Sequence, residues 1–146
     1  MNDKINIAAH IWNYCIAAHK TYYRLYEKTL SLYDLQKHIT KLKKKSKYSY
    51  WKQLDAQAIQ DIVERVDRSY KAFFNHVKKN NSGKKSPPKF KKIYKYSSFT
   101  LKQCGYSFHN DNTIIIMGRN YKYFNNQEIQ GKDATNLEPI SSVDNI

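Results

Sequence analysis

Glycine, proline and cysteine are all scarce in this chain of 146 residues, which has four, three and two of them respectively. No glycine-rich phosphate-binding loop occurs. Cys15 and Cys104 lack the Cys and His spacing of a zinc site, and we expect two free thiols in a reducing cytosol. The longest strongly apolar run, residues 114–117, is far too short to span a membrane. With no signal peptide recognisable at the start of the chain, the sequence predicts a cytoplasmic protein without a membrane partner.

Acidic residues are also few, since 12 Asp and Glu stand against 26 Lys and Arg, a formal net charge of +14. Hydrolases of nucleic acids commonly hold Mg²⁺ between clustered carboxylates. No predicted helix or strand gathers the acids of the second half, which are Asp111, Glu128, Asp133, Glu138 and Asp144. We therefore predict no catalytic residues, no metal site, no cofactor and no small-molecule substrate. An enzyme remains the alternative only if folding brings distant carboxylates together.

The excess of positive charge predicts a polyanionic partner, because such a chain repels itself in a compact fold. No acid occurs between Asp67 and Asp111, and aromatic residues are interleaved with lysines near the end of that stretch. Lysines attract phosphates and aromatic rings stack on bases, so we expect RNA or DNA as the partner. The predicted phosphate contacts are Lys43, Lys44, Lys45, Lys84, Lys85, Lys89, Lys91, Lys92, Lys95 and Lys102, and the predicted stacking residues are Tyr94, Tyr96 and Phe99. The alternative is a solubilising loop whose charges face water.

Three helices are predicted in the first half of the chain. Residues 3–28 carry apolar residues at three- and four-residue steps. Ser31 is placed to cap a second helix, and Asp34 follows three residues later, where it can return a bond to the Ser31 amide. Asp55 is a plausible N-cap for a third helix that extends through Lys79. Residues 1–79 are thus expected to form a three-helix, helix-turn-helix-like domain.

Beyond the helices the character of the sequence changes. Residues 78–92 form a basic loop rich in structure breakers. The apolar period then falls towards two, which predicts short strands at 97–103, 106–109, 113–117 and 120–123, with a turn at 109–112. Residues 80–130 are expected to be a basic loop with a partial β segment, and residues 131–146 a disordered or unrelated tail. The predicted class is α+β, a three-helix bundle followed by a small, incomplete antiparallel β segment.

A series of short motifs resembles a known family. In chain order they are W-N-Y at 12–14, L-S-L-Y-D-L at 30–35, T-K-L-K-K at 40–44, S-Y-W at 49–51, A-Q-A-I-Q at 56–60, D-R-S-Y-K-A-F-F at 67–74, P-K-F-K at 88–91 and S-F-T at 98–100. Their order and spacing resemble the N-terminal region of the TnpB (OrfB) family. Members of this family are RNA-guided nucleases encoded by bacterial insertion sequences and are related to type V CRISPR effectors.

The resemblance implies that the helices form a recognition lobe inserted into a β-rich wedge domain. In the family these parts hold the guide RNA scaffold and read a short DNA motif beside the target. By motif position, the residues facing that motif would be Leu32, Gln36, Ala56, Gln57 and Gln60. Glutamine can pair bidentately with adenine, which suits Gln57 and Gln60 to base reading. The alternative for both glutamines is a solvated helix face.

The chain also departs from the family pattern. The family has a strand before the first helix and continues beyond the I-Q-G-K segment at 129–132 into further wedge strands and a RuvC-like nuclease core. We expect this chain to be a decayed or frameshifted copy that binds nucleic acid and lacks the catalytic core. The alternative is a standalone small basic regulatory or interaction protein that binds RNA or a full-length nuclease.

Overall fold

The computed structural model describes residues 2–80, 82–101, 106–109 and 111–124. They fall into two units that divide between Thr100 and Leu101. The first unit contains three α-helices and two short 3₁₀ helices, and the second contains a three-stranded antiparallel sheet. The predicted α+β class with a small, incomplete sheet is confirmed.

Helix α1 covers Asn2–Tyr26 and supplies the longest buried face of the first unit. Its small and branched residues at helical spacing form a stripe that faces the other helices. The fully buried members of the stripe are Ala8, Ala9, Ile11, Cys15 and Ile16. Asp3 in the first turn and Arg24 in the last both interact favourably with the helix dipole.

Helix α2 covers Leu32–Leu42 and begins at the predicted cap. The hydroxyl of Ser31 accepts a hydrogen bond from the Asp34 amide at 3.1 Å. It also donates to the Asp34 carboxylate at 2.6 Å. The sequence predicted that this carboxylate would bond to the Ser31 amide, but aspartate is shorter than the usual glutamate and bonds to the hydroxyl. Leu35, Ile39 and Leu42 are buried as the apolar period predicts.

A 3₁₀ helix at Ser46–Gln53, which the sequence did not predict, joins α2 to α3. It carries Trp51 into the core, where the side chain is 1 % exposed. The rings of Tyr14 and Tyr48 pack against Trp51 with centroids 5.4 and 4.9 Å away. The short connection is therefore a structural part of the core.

Helix α3 covers Ala56–Lys78 and packs against both α1 and α2. The Asp55 carboxylate caps it, accepting from the Gln57 amide at 2.8 Å and from the Ala58 amide at 3.4 Å. The predicted apolar face is buried from Ile59 to Tyr70. The predicted three-helix bundle is confirmed, with its core between α1 and α3.

The first unit includes the basic segment up to Thr100. This segment has little regular structure beyond a 3₁₀ turn at Ile93–Lys95. The predicted strand at 97–103 is wrong over its described part, residues 97–101, which is not a strand. Hydrogen bonds from the Arg65 guanidinium hold Ser98 and Thr100 beside α3, and Tyr96 is buried. Packing against helices has replaced strand pairing there.

The second unit is a meander of β1 Tyr106–His109, β2 Thr113–Ile116 and β3 Arg119–Lys122, in the order β1-β2-β3. Each strand lies within a residue of its predicted position. Met117 and Gly118 join β2 to β3 with φ values of 50° and 77°. Positive φ at both central residues is the pattern of a type I′ turn, whose twist matches that of the strands it connects. Lys102, Cys104 and the predicted tail at 131–146 lie outside the described residues.

Candidate nucleic-acid interface

The basic segment after α3 is fixed to α1 by hydrogen bonds from two consecutive side chains. The indole nitrogen of Trp12 donates to the carbonyl of Lys89 at 3.1 Å. The Asn13 side chain donates to the Lys91 carbonyl at 2.9 Å and accepts from the Lys91 amide at 2.8 Å. Segment 89–91 is therefore held in one position on the bundle, and its lysines project from a fixed backbone.

The ammonium group of Lys91 lies over aromatic rings. Its nitrogen is 4.1 Å from the ring centroid of Trp12 and 5.2 Å from that of Tyr96. Both distances are within the range of a cation–π interaction, which holds a cation in place without neutralising it. Burial raises the pKa of the Tyr96 phenol, and Arg65 opposes that rise. The exposed Lys91 side chain thus lies at the surface, above packed aromatic rings.

A shallow, open cleft of about 430 Å³ lies beside this lysine. Three of its lining residues are cationic and come from two separate parts of the chain. The lining residues are Trp12, Arg65, Arg68, Ser69, Ala72 and Lys91. The cleft therefore presents a concentrated positive potential to an anion.

Asp61 partly neutralises this charge and forms ion pairs with both arginines. Its buried carboxylate pairs with Arg65 at 2.7 Å and with Arg68 at a longer 3.7 Å. Arg65 also donates to Ser98 and Thr100, so its guanidinium serves mainly to hold the chain. The side chain of Arg68 is 65 % exposed. Arg68 and Lys91 are consequently the cations best placed to receive a phosphate.

The described lysines predicted to contact phosphate lie at the surface. Lys43 is half-buried, and the others are exposed: Lys44, Lys45, Lys84, Lys85, Lys89, Lys91, Lys92 and Lys95. Of these, the structure brings Lys91 into the cleft.

The predicted stacking residues have three different environments. The Tyr94 ring is 76 % exposed and has the Lys92 ammonium 5.8 Å from its centroid. Phe99 is half-buried. Tyr96 is only 6 % exposed and packs against Trp12 at 6.3 Å, so its ring offers no free stacking face. Tyr94 keeps the geometry that stacking requires.

The five predicted DNA-motif readers lie on two helices that pack against each other. Leu32 and Gln36 are half-buried and lie one turn apart on α2. At the start of α3, Ala56 and Gln60 are exposed and likewise one turn apart. Gln57 is half-buried, and its side-chain oxygen is buried without a hydrogen-bond partner.

The sequence did not single out Arg65, Arg68 and Phe90 as functional residues. The two arginines lie on α3, and both line the cleft. Phe90 is 53 % exposed, with the Lys20 ammonium 4.5 Å from its ring centroid. The alternation of lysine and aromatic residues at 89–94 could have indicated Phe90. No sequence signal could have placed Arg68 and Lys91 at one cleft, because only the fold brings α3 and the basic segment together there.

These features define a basic α+β protein with a cationic cleft formed by helices and the segment pinned to them. No family model matches the chain, and a search of curated proteins finds no match. In the described part of the chain, no helix is long and apolar enough to cross a membrane. The same residues contain no group of three or more His, Cys, Asp or Glu side chains that could hold a metal ion.

Proposed function

We propose that this chain binds nucleic acid as the recognition part of a transposon-encoded, TnpB-like RNA-guided nuclease and does not itself cut. The observation that carries the proposal is the cleft lined by Arg68, Lys91 and Trp12. Two cations from separate parts of the chain converge there around a surface that a phosphate can enter. An ordinary solubilising loop has no need of hydrogen bonds that hold its backbone against a helix.

The rest of the basic segment supports the same partner. Exposed lysines precede and follow the cleft residue along the chain, so a phosphate backbone can track over them. Tyr94 offers an exposed ring on which a base can stack. The proposed partner is the guide RNA scaffold, its DNA target or both, which implies a cytoplasmic location.

Gln57 and Gln60 are the proposed readers of the DNA motif. Gln60 is exposed on the first turns of α3, one turn from Ala56. The unpartnered oxygen of Gln57 is a polar group that a base edge could satisfy. An amide side chain that both donates and accepts suits adenine.

Co-purification of the expressed chain with cellular RNA, followed by sequencing of that RNA across a salt titration, tests the proposal. A discrete RNA from a neighbouring mobile element, retained at moderate salt, is the expected result. If the protein instead carries mixed cellular RNA that is released steeply as the salt concentration rises, its binding is nonspecific and electrostatic. Absence of any bound nucleic acid at low salt would refute the proposal.

A second candidate function, a standalone regulatory module that binds RNA or a full-length nuclease, is favoured by one observation. The helical unit has a core of its own, with Trp51, Ile11, Ile62 and Val66 each 1 % exposed or less. A unit with such a core can fold alone. One cooperative thermal transition, seen alike by circular dichroism and by tryptophan fluorescence, would favour this candidate. Non-coincident transitions with dye-binding apolar surface would favour a recognition fragment.

A further inference from the structure

A second pocket lies between the C-terminal half of α1 and the second half of α3 and shares no lining residue with the cationic cleft. Its volume is about 300 Å³. Its walls are mainly aromatic, with His19 and Tyr23 from α1 and Tyr70, Phe73 and Phe74 from α3. This volume is at the lower end of the ~300–1,000 Å³ typical of small-molecule sites, so the pocket suits one planar ring system.

Two of the lining residues carry buried polar atoms that have no hydrogen-bond partner, His19 Nε2 and the Tyr70 hydroxyl. Both side chains are more than nine-tenths buried, with exposures of 7 % and 9 %. Their ring centroids are 4.3 Å apart. A buried polar group without a partner destabilises a fold, so a ligand that supplies the missing bonds to these two atoms would gain affinity from them.

The aromatic walls determine what shape of ligand fits. Phe73 and Phe74 have ring centroids 5.4 Å apart, and Tyr70 stacks on Phe74 at 6.2 Å. Tyr23 borders the same space and is 57 % exposed, so its ring is accessible to a ligand. A flat aromatic ring with polar atoms on its edge matches both the walls and the two unpartnered atoms.

The charges at the rim of the pocket indicate which chemical group should be linked to the ligand's ring. Lys20 lines the pocket, and Pro87 brings the basic segment to its edge. Lys84, Lys85 and Lys89 are exposed on that segment within three residues of Pro87. A ring entering the pocket would therefore carry its linkage past cations, and a phosphate linkage fits that requirement.

We propose that this aromatic pocket receives one unpaired nucleobase of a bound nucleic acid. The base edge bonds to His19 and Tyr70, its faces contact the aromatic walls, and the flanking phosphates lie on Lys20 and the basic segment. The inference rests on the proposed function and adds to it, since the base is held in a pocket and not on an open surface. It requires a single-stranded stretch or an extruded base at this point of the bound strand.

The test compares two fluorescein-labelled strands of equal length and charge, a short oligoadenylate and an abasic strand, on the full chain by anisotropy. The wild-type protein should hold the intact strand about tenfold more tightly, because stacking and edge bonds are present only with bases. Tyr23→Leu should lower this preference, because one of the stacking rings is lost, without weakening the abasic complex. Tyr70→Phe, which keeps the ring and removes only the hydroxyl, should lower it in part. Tyr26→Leu is the matched control, since Tyr26 is 59 % exposed on the same helix and does not line the pocket.

Four results would overturn the inference. Equal affinity of the wild-type protein for both strands would be consistent with nucleic-acid binding but would refute the proposal that the pocket holds a base. Binding of neither strand at low salt would refute both the base-binding pocket and the proposed nucleic-acid binding. Equal weakening of the two strands by Tyr23→Leu shows that Tyr23 makes no base contact. In a parallel NMR titration, shifts of the His19 and Tyr70 signals with N-acetyltryptophanamide but not with adenosine would identify a protein side chain as the occupant.

Discussion

Asn13 and Lys91, 78 positions apart in the chain, are joined by two reciprocal hydrogen bonds of 2.9 and 2.8 Å. The carboxamide of Asn13 donates to the carbonyl of Lys91 and accepts from its amide, as a paired strand does in a sheet. The pairing satisfies both polar groups of a residue outside any regular element, and it fixes where the Lys91 side chain begins. The W-N-Y motif therefore has a structural role at its centre, which is to attach the basic segment to the bundle.

Removing this attachment should destabilise the first unit. Asn13→Ala deletes two hydrogen bonds worth about 0.5–1.5 kcal/mol each, so the free energy of unfolding should fall by roughly 1–3 kcal/mol. Urea denaturation followed by tryptophan fluorescence measures the change. Asn75→Ala, the same substitution at an exposed site on α3, should cost little. Equal losses in the two variants would show that the attachment contributes nothing to stability.

Charge removal in the cationic cleft should lower the salt dependence of binding. Arg68→Gln and Lys91→Gln each delete one predicted phosphate contact, so the slope of log affinity against log salt should become shallower by about 0.9 on duplex DNA. Fluorescence anisotropy at several salt concentrations gives the slope. Lys28→Gln removes the same charge from an exposed lysine outside the cleft and should leave the slope nearly unchanged. If all three variants shift the slope alike, the cleft is not a distinct phosphate site.

The stability of the fold should decrease when the pH falls below about 6.5. Burial lowers the pKa of His19 from its ordinary value of 6.5, and the charge of Asp67 opposes the shift. The unfolded chain therefore takes up a proton in a range where the folded chain does not. The stabilisation is complete above pH 6.5 and is lost as the pH falls from there through the lowered folded pKa, by up to about 1.4 kcal/mol per pH unit.

The midpoints of urea unfolding are measured between pH 7.5 and pH 5 for the wild type and for a variant with a neutral residue in place of His19. The difference between the two curves gives the contribution of His19 to the pH dependence of stability. His19→Gln should flatten the pH dependence, because glutamine takes up no proton. His10→Gln, at an exposed position on the same helix, should retain it. A His19→Gln curve parallel to that of the wild type would contradict the assignment.

The thiol of Cys15 should be inert in the folded protein. The side chain is fully buried, and burial raises its pKa to about 12. Thiolate is the reactive form, so alkylation at pH 8 should proceed only through unfolding. Iodoacetamide labelling of a Cys104→Ser variant, read by mass spectrometry with and without urea, measures this directly. Rapid labelling without urea would show that the region between α1 and α3 opens readily.

Trp51 should be among the most costly core residues to truncate. Its side chain is 1 % exposed and surrounded by tyrosine rings. Trp51→Ala should reduce the free energy of unfolding by about 3–5 kcal/mol, and Trp51→Phe by less, since phenylalanine fills part of the cavity. Thermal melts of both variants provide the comparison. A Trp51→Ala loss below 1 kcal/mol would mean that the 3₁₀ segment is peripheral to the core.

The sequence by itself determined the secondary-structure elements that depend on interactions between residues close together in the chain. Helical period and side-chain caps placed α1, α2 and α3 within a few residues, because N-caps such as Ser31 and Asp55 act on amides two or three positions away. The three strands of the meander were predicted for the same reason. The net charge of +14 and the acid-free stretch from 68 to 110 also follow from composition alone.

Only the tertiary structure decided which of these residues meet. It buried Tyr96 and brought Arg68 and Lys91 to one cleft. Over the described part of the predicted strand at 97–103, it placed a segment held by Arg65. It also enclosed His19 and Tyr70 beside one aromatic pocket. Each of these outcomes depends on contacts between residues tens of positions apart, and such contacts are set by how helices pack and where the chain returns, which a local pattern does not encode.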